Sequence, residues 1–169
     1  MEIRTIQPFL QYFGNVRERT MRLARCVPAD KVEWTYAPGK FTLGDLLRHI
    51  ATTERYLFAE NVQGKPSRYA SHGKEWADGL EDILAFMERL HGESMAIFGK
   101  LTDADLQAKC LNVAGTEMAI WKLLRSMPEH EIHHRGQIYI YLGILGMPVP
   151  PLYGLTSEEV RARGMKYRQ

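Results

Sequence analysis

Apolar residues recur every three or four positions in four long segments of the chain. These segments cover about residues 5–27, 42–60, 78–100 and 116–145. The spacing places the apolar side chains along one face of an α-helix, which a globular protein buries. No segment alternates apolar and polar residues over the length of a strand, so no sizeable sheet is expected. The pattern therefore predicts an all-α protein built as a four-helix bundle.

Local signals mark where two of these helices begin or bend. Thr42 and Asp45, three positions apart, form a short version of the capping box at the start of the second helix. Pro128 lies inside the fourth segment. It should bend that helix, because proline lacks a backbone N–H and crowds the preceding turn.

The connections between the four segments differ in length and content. The first two are long, whereas the third contains a short helical turn at 102–107 and an irregular or extended link at 110–114. After the fourth segment, Thr156 and Glu159 form a capping box for a short helix. We therefore expect short extra helices in the third connection and at the C-terminus. Unequal connections favour a bundle with crossovers over a simple up-down-up-down array.

Composition narrows the class of protein. The 169 residues are 45% hydrophobic and 25% charged, which fits one globular domain over residues 1–169. A net charge of +2 argues against nucleic acid or an anionic membrane as the main partner. Neither a signal peptide nor a membrane-spanning segment is recognisable. Cys26 and Cys110 are far apart and in no metal-binding spacing, which favours a reduced, cytoplasmic protein.

Two histidines in the fourth segment stand where apolar residues are expected. His130 follows Met127 by three positions, and His134 precedes Ile138 by four. Residues four apart on an α-helix lie about 40° apart around the axis and one turn along it. Their imidazoles therefore point the same way and can bind one metal ion.

A tight metal site needs a third ligand from another helix. His49, one residue before Ile50 on the apolar face of the second helix, is the candidate. Three neutral imidazoles and an open position would form a catalytic rather than a closed structural site. In the alternative interpretation, the histidines are core residues that hydrogen-bond to each other or to a buried hydroxyl.

The other three histidines have less specific positions. His133 could replace one of the paired ligands, although a supporting or surface role fits its angle on the helix better. His91 follows Met87 by four positions and could also face inward as a ligand. His72 lies in a polar, glycine-containing loop and is expected to be solvated.

Three charged residues near these histidines are weak candidates for catalysis. Glu54 could orient a ligand or pair with Arg135. Glu131 could accept a proton from the second nitrogen of a ligand, or it could face solvent. Arg135 could bind substrate or tie neighbouring helices together.

Three stretches of the sequence resemble the DinB/YfiT-like family of metal-dependent bacterial enzymes. They read FTLGDLLRHIATTE around His49, HEIHHRGQ in the fourth helix, and LGMPVPPLYG directly after it. The resemblance implies a four-helix bundle in up-down-down-up order, often assembled as a homodimer. It also implies a divalent metal, usually zinc or nickel, on His49, His130 and His134.

The resemblance does not select one reaction. Similar proteins include enzymes that transfer low-molecular-weight thiols such as bacillithiol, and mycothiol-dependent maleylpyruvate isomerases. A three-histidine metal site can activate water, as in a hydrolase, or a thiol, as in a thiol S-transferase. We therefore expect a metal-dependent enzyme of one of these types with a small-molecule substrate. The alternatives are a non-catalytic bundle that binds a metal or small ligand, and an interaction module whose histidines are merely packed.

Overall fold

The computed structural model of the chain describes residues 2–166, so residues 1 and 167–169 of the predicted domain lie outside it. Within these residues the long helices are α1 (Ile6–Ala24), α2 (Leu43–Thr53), α3 (Leu80–Phe98), α4 (Ile120–Ile144) and α5 (Ser157–Lys166). Helix α2 continues through a π-helical stretch, Glu54–Phe58, and a last α-helical turn, Ala59–Asn61. Short 3-10 turns follow α1 at Ala29–Lys31 and α3 at Asp105–Gln107. The predicted all-α bundle with extra short helices is confirmed.

Side-chain contacts give the directions of the four bundle helices. Helices α2 and α3 run parallel, because Arg48 contacts the Ala77 carbonyl just before α3 and Arg55 pairs with Glu93 further along it. Helices α1 and α4 also run parallel, because Arg17 pairs with Glu131 and Arg22, further along α1, donates to the Leu152 carbonyl beyond the end of α4. Helix α2 runs opposite to α4. The ring of Phe58, near the end of α2, meets that of His130 edge-on, whereas Tyr141, further along α4, donates its hydroxyl to the Phe41 carbonyl just before α2. The order is therefore up-down-down-up, as the resemblance implied.

The start of α2 follows the predicted capping box. The hydroxyl of Thr42 accepts a hydrogen bond from the Asp45 N–H at 2.9 Å, and the Asp45 carboxylate accepts one from the Thr42 N–H at 3.0 Å. Two backbone N–H groups that the helix leaves unpaired are thus satisfied. The cap determines where α2 begins and so where His49 lies along it.

The start of α4 differs from the prediction. The fourth helix begins at Ile120 rather than near 116, because β2 (Glu117–Ala119) pairs with β1 (Lys109–Leu111) in a short antiparallel hairpin. Gly115 turns the chain between the strands with a φ of +74°, a conformation that glycine adopts without strain. Strands of three residues are too short to show the alternation by which a sequence reveals a sheet.

The apolar core forms two clusters separated by a polar layer in the middle of the bundle. One cluster contains Leu46, Leu47, Ile50, Met87, Leu90 and Leu142, and the other Phe13, Phe58, Phe98, Leu123 and Met127. Between them every bundle helix contributes buried polar residues: Arg17, Glu54, Ser94, Glu131 and Arg135. The four helices thus bring buried polar groups together between the two apolar clusters.

None of the helices within residues 2–166 combines the length and the apolar character that a bilayer crossing requires.

Candidate metal centre

Three histidines from two helices meet in the middle layer. His49 on α2 and His134 on α4 each place Nε2 close to Nε2 of His130, at 3.0 Å and 3.1 Å respectively. One ring nitrogen from each of the three residues lies within 4.8 Å of the others. We call this group the histidine centre. It forms because α2 crosses α4 in the opposite direction with the apolar faces of both helices turned inward.

The geometry of the histidine centre fits a small divalent ion. Zinc–nitrogen bonds of 2.0–2.1 Å in a tetrahedron separate two ligand nitrogens by about 3.3 Å. The two measured separations are close to this value. The opposite ring nitrogens have other partners: Nδ1 of His49 lies 2.8 Å from the Tyr69 hydroxyl, and Nδ1 of His134 lies 2.7 Å from Oε1 of Gln137. Both rings therefore direct Nε2 toward the centre.

Burial keeps the three imidazoles in their neutral form. Burial, with a smaller contribution from the neighbouring histidines, lowers the pKa of His49 to about 3 and that of His130 to about 4. The pKa of His134 is lowered as well, mainly by burial. Neutral imidazole is the form that binds metal, so the lone pairs are available near pH 7.

Aromatic rings surround the histidine centre. The ring centroid of Phe41 lies 5.5 Å from that of His49 and 6.5 Å from that of His134. Phe58 lies 6.1 Å from His130 on the other side. These rings limit the rotation of the imidazoles and reduce the access of water.

A surface groove of about 610 Å³ borders the histidine centre. Its lining includes His134 and Gln137, together with Tyr36, Lys40, Phe41, Ile140, Tyr141 and Ile144. Another cavity, of about 570 Å³, lies between α4 and residues 149–158 and has no histidine in its lining. Of these two cavities, the groove is the one that a histidine of the centre lines.

A second polar cluster lies in the same layer but does not touch the histidine centre. Arg17 pairs with Glu54 and, at 2.9 Å, with Glu131, while Glu54 also bonds Nδ1 of His91 at 2.9 Å. We call these four residues, one from each bundle helix, the ion-pair network. The two carboxylates outweigh the effect of burial and raise the pKa of Arg17.

The structure gives each of the three weak catalytic candidates a partner outside the histidine centre, and for Arg135 this is the expected tie between helices. Glu54 pairs with Arg17 and His91 instead of Arg135. Glu131 is buried rather than solvated, because its position on α4 turns it toward α1. Arg135 donates to the Val16 carbonyl at 3.1 Å and so ties α4 to α1.

The remaining histidines take three different positions. His91 belongs to the ion-pair network, so it is not among the residues that converge on the centre. His133 is exposed, with its ring 4.9 Å from that of His134. The expectation that His72 is solvated is wrong. His72 is half-buried, its Nδ1 lies 3.0 Å from the Tyr69 hydroxyl, and its ring lies 4.2 Å from that of Phe41.

Tyr69 is the functional candidate that the sequence did not reveal. It lies in the long loop between α2 and α3, where no periodicity indicates which side chains point inward. The only available signal was its nearness in sequence to His72.

Comparison with known sequences identifies one family and similar proteins of Bacillus subtilis. The sequence model of the DinB family matches residues 2–165. The uncharacterised protein YjoA of Bacillus subtilis is 26% identical over 147 residues, which cover 85% of this chain and 93% of YjoA. In the YjoA crystal structure, the match has a TM-score of 0.69 over 86% of this chain and 97% of the solved chain, at 23% identity.

Two further solved structures share the fold. YfiT from Bacillus subtilis, described as a probable metal-dependent hydrolase with an unusual four-helix bundle topology, matches with a TM-score of 0.64 and 19% identity. The match covers 85% of this chain and 89% of YfiT. A mycothiol-dependent maleylpyruvate isomerase matches with a TM-score of 0.53 and 14% identity, over 79% of this chain and 60% of the isomerase. At these identities the likeness concerns the fold.

Proposed function

Because the chain belongs to the DinB family, we propose that it is a metal-dependent enzyme whose divalent ion is bound by His49, His130 and His134. The observation that carries the proposal is the convergence of three neutral imidazoles beside an open groove. His49, His130 and His134 would hold the divalent ion, which would supply a site that lowers the pKa of water to about 7 or keeps a thiol as thiolate.

The chain's own residues position the ligands and the substrate. Gln137 accepts a hydrogen bond from Nδ1 of His134, which directs the lone pair of Nε2 inward. The apolar side chains of the groove, Phe41 and Ile140 among them, bind the hydrocarbon part of a small molecule. Lys40 is exposed and lies in the groove lining, so an anionic substituent on the substrate is favoured there.

The group that is activated is water or a low-molecular-weight thiol. The description of YfiT as a probable metal-dependent hydrolase supports water, whereas the mycothiol dependence of the isomerase supports a thiol. The reaction is accordingly of the hydrolase or the thiol S-transferase type. Imidazole ligands suit zinc and nickel, which are the metals we propose.

Metal analysis tests the ligand set. Protein purified without added metal should contain about one zinc or nickel ion per chain, as expected for a three-histidine site. The variant His130→Ala should lose more than about 100-fold in metal affinity, beyond the loss typical of a supporting residue. The matched control is His133→Ala, which removes an exposed imidazole from the same turn of α4 and should bind metal normally. The proposal is contradicted if the wild-type chain contains no ion and chelators leave its unfolding unchanged.

A thiol titration separates an enzyme from a non-catalytic metal-binding bundle. In the cobalt-substituted protein, adding cysteine as a probe thiol should change the visible absorption spectrum if a coordination position is open. Hydrolysis of ester substrates and transfer of the thiol to an electrophile are then measured in parallel. An unchanged spectrum with no turnover would favour the non-catalytic alternative. The cytoplasmic location, the homodimer and the absence of nucleic-acid and membrane partners stay predictions.

A further inference from the structure

A hydrogen-bonded chain leads from the histidine centre into the loop between α2 and α3. Nδ1 of His49 lies 2.8 Å from the hydroxyl of Tyr69, and this hydroxyl lies 3.0 Å from Nδ1 of His72. The Thr53 hydroxyl also approaches Nδ1 of His49, but at the longer distance of 3.4 Å. Tyr69 is therefore the main partner of the outer nitrogen of His49.

The direction of the hydrogen bonds follows from proton counting. A neutral imidazole has one N–H, so if Nε2 of His49 offers its lone pair to an ion, Nδ1 has the proton and donates it to Tyr69. The single hydroxyl proton of Tyr69 is then donated to Nδ1 of His72, which places the proton of neutral His72 on its Nε2. If Nε2 of His49 binds an ion, the proton positions on His49, Tyr69 and His72 therefore all follow.

The loop that carries Tyr69 and His72 is fastened to α2 at both ends. At one end, the Arg68 N–H donates to the Tyr56 carbonyl at 2.7 Å, within the π-helical stretch. At the other end, Arg48 donates from Nε to the Ala77 carbonyl at 2.9 Å, and its side chain is fully buried. Because Arg48 directly precedes His49, the loop is attached to the same turn of helix that carries the ligand.

The ring of His72 is held by Phe41. Their centroids lie 4.2 Å apart, and Phe41 also contacts His49. Arg48 adds a long contact, 3.4 Å, from Nη1 to the His72 carbonyl. The position of His72 behind Tyr69 is thus determined by packing as well as by the hydrogen bond.

We propose that Tyr69 and His72 are positioning residues of the histidine centre, which fix the tautomer and ring orientation of His49 so that its Nε2 binds the ion. This inference rests on the proposed metal site. His134 has the corresponding support from Gln137, three residues away on the same helix. His49, in contrast, depends on a loop 20 residues away, so a change in that loop alters the metal site without changing a ligand.

Four variants test the hydrogen-bonded chain. Tyr69→Phe keeps the ring and removes only the hydroxyl. His72→Leu removes the terminal acceptor, whereas His72→Asn restores an acceptor oxygen near the position of Nδ1. Tyr12→Phe, on an exposed tyrosine of α1, is the matched control for the loss of a hydroxyl. Metal affinity is measured by competition with a chromophoric chelator, using zinc as the probe. The tautomer of His49 is measured by nitrogen NMR, and unfolding is followed without metal.

Tyr69→Phe should lower zinc affinity by about 10–100-fold, the usual effect of losing a partner of a ligand. The NMR spectrum should show that His49 no longer has its proton on Nδ1 alone. His72→Leu should have a smaller effect in the same direction, His72→Asn should recover most of it, and Tyr12→Phe should match the wild type.

Two results overturn this inference while leaving the metal site intact. One is that the wild type and Tyr69→Phe bind zinc equally well. The other is a loss of affinity in His72→Asn as large as that in His72→Leu, which would indicate packing rather than hydrogen bonding. A wild type that binds no zinc overturns the proposed function itself.

Discussion

Two polar clusters lie in the middle layer of the bundle, and they differ in how their charge is balanced. The ion-pair network contains its own cation, since Arg17 lies between the carboxylates of Glu54 and Glu131. The histidine centre consists of neutral rings whose lone pairs converge. The first cluster therefore has a cation of its own, whereas the second consists of neutral rings and would gain most from an added cation.

The difference in burial agrees with this distinction. The side chains of Arg17, Glu54 and Glu131 are at most 4% exposed, while the histidines of the centre are half-buried beside a groove. A buried charge without a partner is costly, so the two enclosed carboxylates depend on Arg17. A cluster that opens on a groove can exchange ligands. We therefore interpret the network as structural and the centre as functional.

Removal of the internal cation should have the largest effect. Arg17→Met leaves Glu54 and Glu131 buried without their partner, so the free energy of unfolding should fall by about 3–5 kcal/mol. Urea denaturation of the metal-free protein measures this loss. The matched control is Arg25→Met, because Arg25 pairs with Glu88 at the same distance of 2.9 Å on the surface. An exposed pair contributes less than about 1 kcal/mol. Equal losses of unfolding free energy in the two variants would mean that the buried network stabilises the protein no more than an exposed ion pair.

Replacement of the histidine of the network should separate stability from metal binding. His91→Leu removes the hydrogen bond to the buried carboxylate of Glu54, at an expected cost of about 1.5–3 kcal/mol in unfolding free energy. Zinc affinity, measured by chelator competition, should remain that of the wild type, because His91 is outside the histidine centre. A large loss of zinc affinity would instead mean that the ion-pair network and the histidine centre act as one functional unit.

For each pH unit, acidification should produce the smallest loss of unfolding free energy, and it acts on the centre. The folded pKa values of His49, about 3, and His130, about 4, lie below the 6.5 of an unperturbed histidine. Between these values the unfolded chain binds more protons than the folded one. Stability is thus retained above pH 6.5 and lost as the pH falls toward 4. Allowing for solvent screening of half-buried rings, the loss should be roughly 1 kcal/mol per pH unit.

Denaturation of the metal-free protein at several pH values measures this slope. The double variant His49→Leu, His130→Leu removes both groups and should have a shallower slope than the wild type. An identical slope would mean that other groups cause the acid sensitivity.

The polar residues of α4 show what local pattern could and could not predict. The helical spacing of His130 and His134 predicted that both rings point the same way, and their Nε2 atoms lie 3.1 Å apart. For Glu131, which directly follows His130, no such spacing predicted the direction of the side chain. Its burial depends on Arg17, which lies 114 residues earlier in the chain. A charged residue flanking a ligand therefore could not be assigned to solvent or core from its own helix.

The loop between α2 and α3 was the least predictable part of the candidate site. Tyr69 and His72 follow no helical or strand periodicity, and their positions depend on Arg48 and Phe41. A polar loop with glycine is normally solvated, which led to the wrong expectation for His72.

By itself, the sequence determined the four helices, the cap of α2 and the shared direction of the two α4 imidazoles. Each of these depends on residues three or four positions apart, whose relative placement the α-helix itself sets. Only the tertiary structure decided that His49, rather than His91, meets the α4 pair, and that Tyr69 lies behind it. These contacts join segments whose approach depends on how whole helices cross and how a loop is fastened. Spacings of three or four residues along the chain do not predict such contacts.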